Sequence, residues 1–256
     1  VSGGGYNGGG WISSMQNELA KRDDIKLGIA FCRNGEPAKV EQDGVVYYPI
    51  PHHTKSKKDK ILDLFKLYDA TRDEVLWPYY EHKFKEVIED FKPDVIHIFG
   101  SELYHGLAAR VAGNIPMVLH IQGLLSLSIY ILLPPGFSRR EYIMSGNGLQ
   151  GKFHHLQYLA YWKRSAYREK AILNAVPYVI GRTEWDRQAM AVLNPKAKYY
   201  YGGEILRDVF YEARERQIPK VPTITTTISF PTYKGYDVIL KVANILKNEL
   251  HLNFQW

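Results

Sequence analysis

The sequence contains very little cysteine and has no long apolar run. Cys32 is the one cysteine among 256 residues, so no internal disulfide can form, and the free thiol fits the reducing cytosol. A membrane-spanning helix needs about 18 consecutive apolar residues, and no such stretch occurs. Internal repeats and low-complexity tracts are also absent. We therefore expect a cytoplasmic globular protein.

Acidic residues are outnumbered by basic ones. The formal net charge is +6 and the isoelectric point is near 9.1, which predicts affinity for an anionic partner. Charge alone does not choose between nucleic acid, lipid and sugar nucleotide. Because the basic residues are scattered and no nucleic-acid motif occurs, we expect no nucleic-acid partner.

Glycine is concentrated at the start of the chain. The clusters Gly3–Gly5 and Gly8–Gly10 precede a helical pattern from Trp11 to Lys21. Glycine lets backbone N–H groups approach a charged oxygen, and the helix start adds unpaired N–H groups and a positive dipole end. The pattern predicts an anion cradle, most often for phosphate. Such loops normally follow a strand, so we expect a strand just upstream of Val1.

Short apolar runs alternate with amphipathic segments along the rest of the chain. Thr183 and Asp186 predict a capped helix start, and Lys55–Lys60 is interpreted as a solvated loop. The alternation predicts an α/β fold with a Rossmann-type parallel sheet covered on both faces. The predicted strands are 26–31, 45–50, 94–100, 116–121 and 178–181, and the predicted helices include 77–91, 102–112, 154–174 and 184–193.

Two regions depart from this alternation. Residues 122–153 read as an irregular insert in which the apolar run 124–133 is followed by Arg139 and Arg140. Apolar groups beside basic ones suit contact with an anionic membrane, so residues 124–140 are a candidate membrane-binding surface. An ordinary loop packed over the core fits the same pattern.

The second departure follows Gly202-Gly203. The predicted strand 223–229, a helix containing Ile239 and a strand starting at Leu252 are too few to bury a core. We therefore predict a first domain at 1–203, and at 204–256 a polar linker followed by the start of an incomplete Rossmann-type domain.

The glycine loop also matches a dinucleotide-binding pattern, Gly3-x-Gly5-x-x-Gly8. That pattern expects an acidic residue at the end of the second strand, where Cys32-Arg33-Asn34 stands instead. An arginine there suits a 2′-phosphate. An NADP-dependent oxidoreductase is therefore an alternative function.

Four segments stand in order along the chain: Gly9-Gly10 with the helix ending Glu18-Leu19-Ala20, Lys92–His97, Pro116–His120 with Gly123, and Thr232–Asp237 ahead of Ile239-Leu240. Their order and spacing resemble family 4 (group 1) glycosyltransferases with the GT-B fold. The resemblance covers nearly all of the chain but only the front part of such an enzyme.

This resemblance implies a retaining transfer of a sugar from a nucleotide sugar to a saccharide or lipid-linked acceptor in polysaccharide or glycolipid biosynthesis. No cofactor and no obligatory metal are implied. Gly9 and Gly10 resemble the glycines that face the donor phosphates, and Lys234 with Gly235 resembles the basic grip on the diphosphate. His120 resembles the histidine that contacts the transferred sugar and is the expected catalytic residue.

Further polar residues follow predicted strands, where α/β sheets place ligands. Glu102 is expected to bind acceptor hydroxyls, and Arg182 and Glu184 to face the same rim, although chemistry at a helix start explains the acids equally well. The pairs His52-His53 and His154-His155 are not expected to bind metal, since adjacent residues rarely chelate together.

The chain departs from the family pattern in two respects. Ile228, Ser229 and Phe230 stand where a second basic residue is usual, and the glutamate-rich motif is expected only after Trp256. We therefore expect that these 256 residues alone do not turn over substrate. A sugar- or lipid-binding module without catalysis is the third alternative.

Overall fold

The computed structural model describes residues 10–35, 38–212, 218–228 and 232–256. The chain divides into two compact units. The first comprises Val1–Ser126 and Ala160–Glu212, and the second comprises Leu127–Leu159 and Ala213–Trp256. The functional domain boundary near residue 203 stays a prediction.

The first unit contains a three-stranded mixed sheet formed by β1 (Leu27–Arg33), β2 (Val40–Gln42) and β3 (Val45–Pro51). β1 pairs in parallel with β3, and β2 pairs antiparallel with β3. Asp43 and Gly44 connect β2 to β3 with φ of 52° and 75°, the positive values that a tight hairpin turn requires. The strand order is β1-β3-β2.

A four-stranded parallel sheet forms the other half of this unit. Its strands are β4 (Ile96–Phe99), β5 (Met117–His120), β6 (Tyr178–Gly181) and β7 (Lys198–Tyr201), and they are paired in that order. Because all the strands run in parallel, their carboxyl ends meet at one edge. The sequence predicted β4, β5 and β6 but not β7.

The rest of the described chain contains eight α-helices. They are α1 (Gly10–Ala20), α2 (Lys57–Phe65), α3 (Trp77–Phe91), α4 (Leu125–Ser128), α5 (Arg139–Met144), α6 (Gly148–Ala175), α7 (Glu184–Leu193) and α8 (Tyr236–Asn244). The Thr183 hydroxyl accepts the Asp186 backbone N–H, and the Asp186 carboxylate accepts that of Thr183, so the predicted cap of α7 is confirmed.

Helices lie on both faces of β3. Gln16 of α1 donates to the Tyr47 hydroxyl at 2.6 Å, whereas the ring of Tyr48 meets that of Phe91 at the end of α3. Consecutive strand residues point to opposite faces, so α1 and α3 cover opposite faces of this strand.

The α/β class with a parallel four-stranded sheet is confirmed, and the arrangement is compatible with a Rossmann-like fold.

β1 and β4 each have one edge without a strand partner among the described residues. Phe31 of β1 is 36% exposed, which is unusual for a parallel strand of such apolar sequence. The strand expected upstream of Val1 stays a prediction.

Two local predictions in the first unit are wrong. The helix predicted over 102–112 is a 3₁₀ helix, Tyr104–Arg110, because Leu103 before it is extended and Val111 leaves helical geometry. The run Lys55–Lys60 is not a solvated loop. Ser56 caps α2 within the run, and Lys55 forms a half-buried ion pair with Asp63 at 2.8 Å.

The segment 122–153 is more regular than predicted. It contains α4, α5 and the first turn and a half of α6, which begins before the predicted residue 154. Within the second unit, Tyr142 of α5 stacks on His155 of α6 with ring centroids 4.3 Å apart. A Cβ on Gly146 would lie 2.4 Å from the backbone of Gly151, so glycine permits this close packing.

The predicted strands near the end of the chain are also wrong. Within residues 223–228 and 252–256, the β-pairing consists of a single parallel bridge between Thr223 and Gln255. Ser229 lies outside the described residues. One bridge fixes too few backbone groups to extend a sheet. The predicted helix containing Ile239 is confirmed as α8.

Candidate functional site

The carboxyl edge of the four-stranded sheet gathers most of the predicted site residues. Glu102 follows β4, His120 ends β5, and Arg182 follows β6. Gly100 donates its backbone N–H to the His120 carbonyl at 2.8 Å, which continues the ladder beyond β4. This edge is where open parallel sheets bind ligands.

His120 is buried, with 1% of its surface exposed. Burial lowers its pKa, Glu204 opposes that shift, and Arg182 reinforces it. Neither ring nitrogen has a hydrogen-bond partner within the described residues. The imidazole is therefore neutral near pH 7, and at this edge it can donate or accept one hydrogen bond.

An aromatic cluster surrounds His120. The indole of Trp11 lies 5.2 Å from the His120 ring and 5.3 Å from the Phe99 ring. His97 stacks on Phe99 at 4.1 Å, and burial lowers the pKa of His97 to about 4. Trp11 is the second residue of α1, so the cluster connects the start of that helix to the carboxyl edge of the sheet.

Glu102 is largely buried at the same edge. Burial raises its pKa, and the nearby carboxylate of Glu169 raises it further, whereas backbone N–H groups, including those of Ser101 and Gly123, oppose the shift. Gly100 has φ of +80°, and a Cβ there would lie 2.1 Å from Glu102 Oε2. Glycine at 100 therefore lets this carboxylate fold back over the sheet edge.

Arg182 connects the ends of three strands. Its guanidinium contacts Glu204 at 2.5 Å after β7, and it donates to the Gln122 carbonyl after β5 at 3.3 Å. The ion pair between Arg182 and Glu204 is partly exposed to solvent. Arg182 therefore places a positive charge beside His120, partly balanced by Glu204.

Glu184 bonds within its own helix. Its carboxylate accepts from Arg187 Nε at 2.7 Å and from the Gln188 amide at 3.0 Å. Hydrogen bonding to Arg187, and then to Gln188, lowers its pKa to about 2. Its predicted role in binding acceptor stays a prediction, and its observed contacts are those of an acid in the first turn of a helix.

Gly10 begins α1, and the side chain of Arg207 packs against it. A Cβ at position 10 would lie 2.9 Å from Arg207 Cδ, so only glycine allows this approach without displacement. The arrangement brings a guanidinium stem to the positive end of the α1 dipole. Gly9 and the earlier glycines lie outside the described residues.

Lys234 and Gly235 lie in the second unit. Lys234 ends a 3₁₀ turn and is exposed, with its ammonium 5.2 Å from the Tyr233 ring centroid. Gly235 adopts φ of 78° and precedes α8, where its carbonyl accepts from Val238 and Ile239. Their assignment to a diphosphate rests on the motif resemblance and stays a prediction.

The alternative chemistries have less structural basis. Arg33 ends β1 and is exposed, and no acidic residue stands there for a ribose hydroxyl. Across the described ranges, no group of three His, Cys, Asp or Glu side chains is arranged to hold a metal ion.

The surface predicted over 124–140 divides into buried and exposed parts. Leu124 and Leu132 are buried, and Ser126 is buried with them. The exposed part continues past residue 140 into α6. Its exposed members include Tyr130, Ile131, Phe137, Arg139, Arg140, Glu141, Met144 and Leu149. In the part of the chain that the structure describes, no helix is both long and apolar enough to span a bilayer.

Comparison with protein-family models yields no match to this chain, and comparison with curated proteins yields none either. A functional proposal therefore depends on the geometry of the sheet edge and on the motif resemblance.

Sequence reasoning missed several residues at this edge. Glu204 was missed because it follows β7, a strand that was not predicted. Trp11 was read only as the start of a helix, and Arg207 as part of a polar linker. Glu169 lies in the middle of α6, where helical periodicity gives no sign that a charge points inward.

Proposed function

We propose that the chain is the front part of a retaining glycosyltransferase of the GT-B class, which transfers a sugar from a nucleotide sugar to a saccharide or lipid-linked acceptor. The observation that supports this most is the convergence of His120, Glu102 and Arg182 at the carboxyl edge of a parallel sheet, with the start of α1 beside them. The motif resemblance supplies the reaction class.

The proposed reaction breaks the bond between the sugar's anomeric carbon and a diphosphate oxygen. A new bond forms on the same face to the acceptor oxygen, and the acceptor proton passes to the leaving diphosphate. Negative charge builds on that leaving group, so fixed N–H dipoles at Gly10 and the guanidinium of Arg207 would stabilise the transition state. Neutral His120 would donate a hydrogen bond to a sugar oxygen.

In this proposal, Glu102 binds the acceptor. Its carboxylate lies at the sheet edge and can accept a hydrogen bond from a sugar hydroxyl. On the motif resemblance alone, Lys234 and Gly235 would bind diphosphate oxygens. No cofactor or obligatory metal takes part in the proposed reaction.

Titration calorimetry with UDP and GDP tests the binding half of this proposal. Arg207→Ala is expected to weaken binding about 10-fold, because one charge-assisted contact to phosphate is lost. The matched control is Arg187→Ala, an exposed arginine on α7 that should bind like the wild type. Failure of the wild type to bind either nucleotide would contradict the proposal.

The second measurement is turnover of nucleotide sugars in the presence of saccharide acceptors. It uses the full-length protein, because these 256 residues alone are not expected to turn over substrate. His120→Ala is expected to lower kcat about 100-fold or more, with nucleotide affinity nearly unchanged. Binding without any turnover by the wild type would favour the non-catalytic sugar-binding alternative.

We also propose that the exposed part of the 124–140 segment contacts an anionic membrane from the cytoplasmic side, where a lipid-linked acceptor would be presented. Arg139 and Arg140 are exposed beside Tyr130 and Ile131, whose side chains are 79% and 65% exposed. Glu141 is the acid in α5, and its carboxylate is engaged in the cap with Ser138. Basic and apolar groups together suit anionic lipid.

Sedimentation with vesicles containing phosphatidylserine tests this contact. Replacing both Arg139 and Arg140 with Gln should lower the membrane-bound fraction at least 5-fold, since each basic residue contributes roughly 1 kcal/mol. The control replaces Lys57 and Lys58, an exposed basic pair in α2, with Gln. Equal loss in both variants would show a general charge effect and contradict a specific surface.

A further inference from the structure

Helix α6 carries two adjacent charged residues that are both buried. Arg168 and Glu169 are 1% and 0% exposed. Buried charges are costly unless they are paired and hydrogen-bonded, so their partners indicate why they are there.

Glu169 bonds to two separate loops at the carboxyl edge of the four-stranded sheet. Its Oε1 accepts from the Ser101 hydroxyl at 2.6 Å and from the Leu125 backbone N–H at 3.0 Å. Its Oε2 accepts from the Ser126 backbone N–H at 2.6 Å. Ser101 follows β4, whereas Leu125 and Ser126 begin α4 beyond β5. One carboxylate therefore fixes both loops.

Arg168 also holds the first of these loops. Its guanidinium donates to the Glu102 carbonyl at 2.8 Å and to both carboxylate oxygens of Asp73 at 2.8 and 2.9 Å. It also lies 4.1 Å from the centroid of the Tyr104 ring. Asp73 in turn accepts from the Trp77 indole at 2.6 Å, so the arginine is fixed by buried partners.

We propose that Arg168 and Glu169 are positioning residues for the candidate site, holding the loop that carries Glu102 and the loop that follows His120 in one fixed geometry. Neither residue touches substrate in this proposal. Small displacements of reacting groups reduce rate strongly, which is why such supporting contacts matter. The catalytic consequence rests on the proposed glycosyl transfer, whereas the loop geometry does not.

Glu169→Gln is the most informative variant because it preserves volume and removes one acceptor oxygen. The new amide group would face a backbone or hydroxyl donor, so at least one loop must shift. Three results are expected. Backbone amides of Leu125 and Ser126 should exchange at least 10-fold faster. The pKa of His120 should rise toward its ordinary value as water enters. In the full-length protein, kcat should fall about 10- to 100-fold, with a smaller change in KM for the nucleotide sugar.

Asn194→Ala is the matched control. Asn194 is also buried, and its amide donates to the Leu173 and Val176 carbonyls near the end of α6, a position outside the two loops. It should lose stability without changing the pKa of His120 or the amide exchange of Leu125. If Glu169→Gln does not fold, Glu169→Asp is measured instead, and it should give smaller shifts of the same sign.

The outcomes separate the two proposals. Unchanged amide exchange and an unchanged His120 pKa in a folded Glu169 variant would overturn the positioning role. If the wild type binds no nucleotide, the proposed function fails, while amide exchange and the His120 pKa still decide whether Glu169 positions these loops.

Discussion

Apolar strands in the two sheets of the first unit differ in burial, and β1 is much more exposed than β5 and β6. Leu119 of β5 and Val179 of β6 are both 0% exposed, and each of these strands has a strand neighbour on both edges. β1 carries Ile29 and Phe31 but is partly exposed. Its one strand partner among the described residues is β3. An apolar run therefore predicts a strand, whereas burial depends on the neighbours that the strand obtains.

The largest expected effect compares β5 with β1 directly. Leu119→Ala should lower the free energy of unfolding by about 2–5 kcal/mol, because it leaves a cavity among closely packed groups. Phe31→Ala removes a larger side chain but should cost only about 1–2 kcal/mol, since Phe31 is already 36% exposed. Urea unfolding of both variants measures the difference. Equal costs would mean that β1 is covered as completely as β5.

A pH effect should come from the four-stranded sheet. Burial, followed by the neighbouring His120, lowers the pKa of His97 in β4 to about 4 from 6.5. Above the unfolded value His97 is neutral in both states and contributes nothing. As pH falls below it, the unfolded chain takes up a proton that the folded chain refuses until about pH 4. Stability should therefore drop by about 2 kcal/mol between about pH 7.5 and about pH 5.

His97→Phe is the control for this effect, because it keeps an aromatic ring beside Phe99 and removes the titrating group. Its stability should depend less on pH over the same range, by about 2 kcal/mol. His105 and His120 also have lowered pKa values and remain in both proteins, so the difference between the two curves isolates His97. Parallel curves would contradict a buried neutral His97.

The smallest effect is expected at the surface of the same unit. Arg187→Ala breaks the pair with Glu184, but both side chains are exposed and the pair spans only three residues. The free energy of unfolding should hardly change, because exposed ion pairs gain little over water. A thermal melt of the variant checks this. A clear drop in Tm would show that the pair supports the start of α7 more than solvent exposure allows.

The sequence predicted those parts of the fold that have strong local signals. β3, β5 and β6 are apolar runs, and α7 is marked by the cap from Thr183 and Asp186. β7 was missed because Lys198–Tyr201 is polar and aromatic and gains its strand pairing only beside β6. The 3₁₀ helix Tyr104–Arg110 was mistaken for an α-helix because both place apolar residues at similar intervals.

The candidate site was predicted in part for the same reason. His120 and Glu102 follow apolar runs, so their position at a sheet edge follows from the strand pattern. Their partners come from distant parts of the chain. Glu169 is 68 residues from Ser101, and Trp11 reaches His120 across the first unit, so no local pattern reports these contacts.

The central claim is that a nucleoside diphosphate binds at the carboxyl edge of the four-stranded sheet, beside the start of α1. Titrating UDP into isotopically labelled protein while following backbone and histidine resonances tests it most directly. We predict saturable shifts of the Trp11 amide and of the His120 ring, with matching dissociation constants. Saturable binding that leaves both resonances unmoved, or no binding of UDP or GDP at all, would contradict the claim.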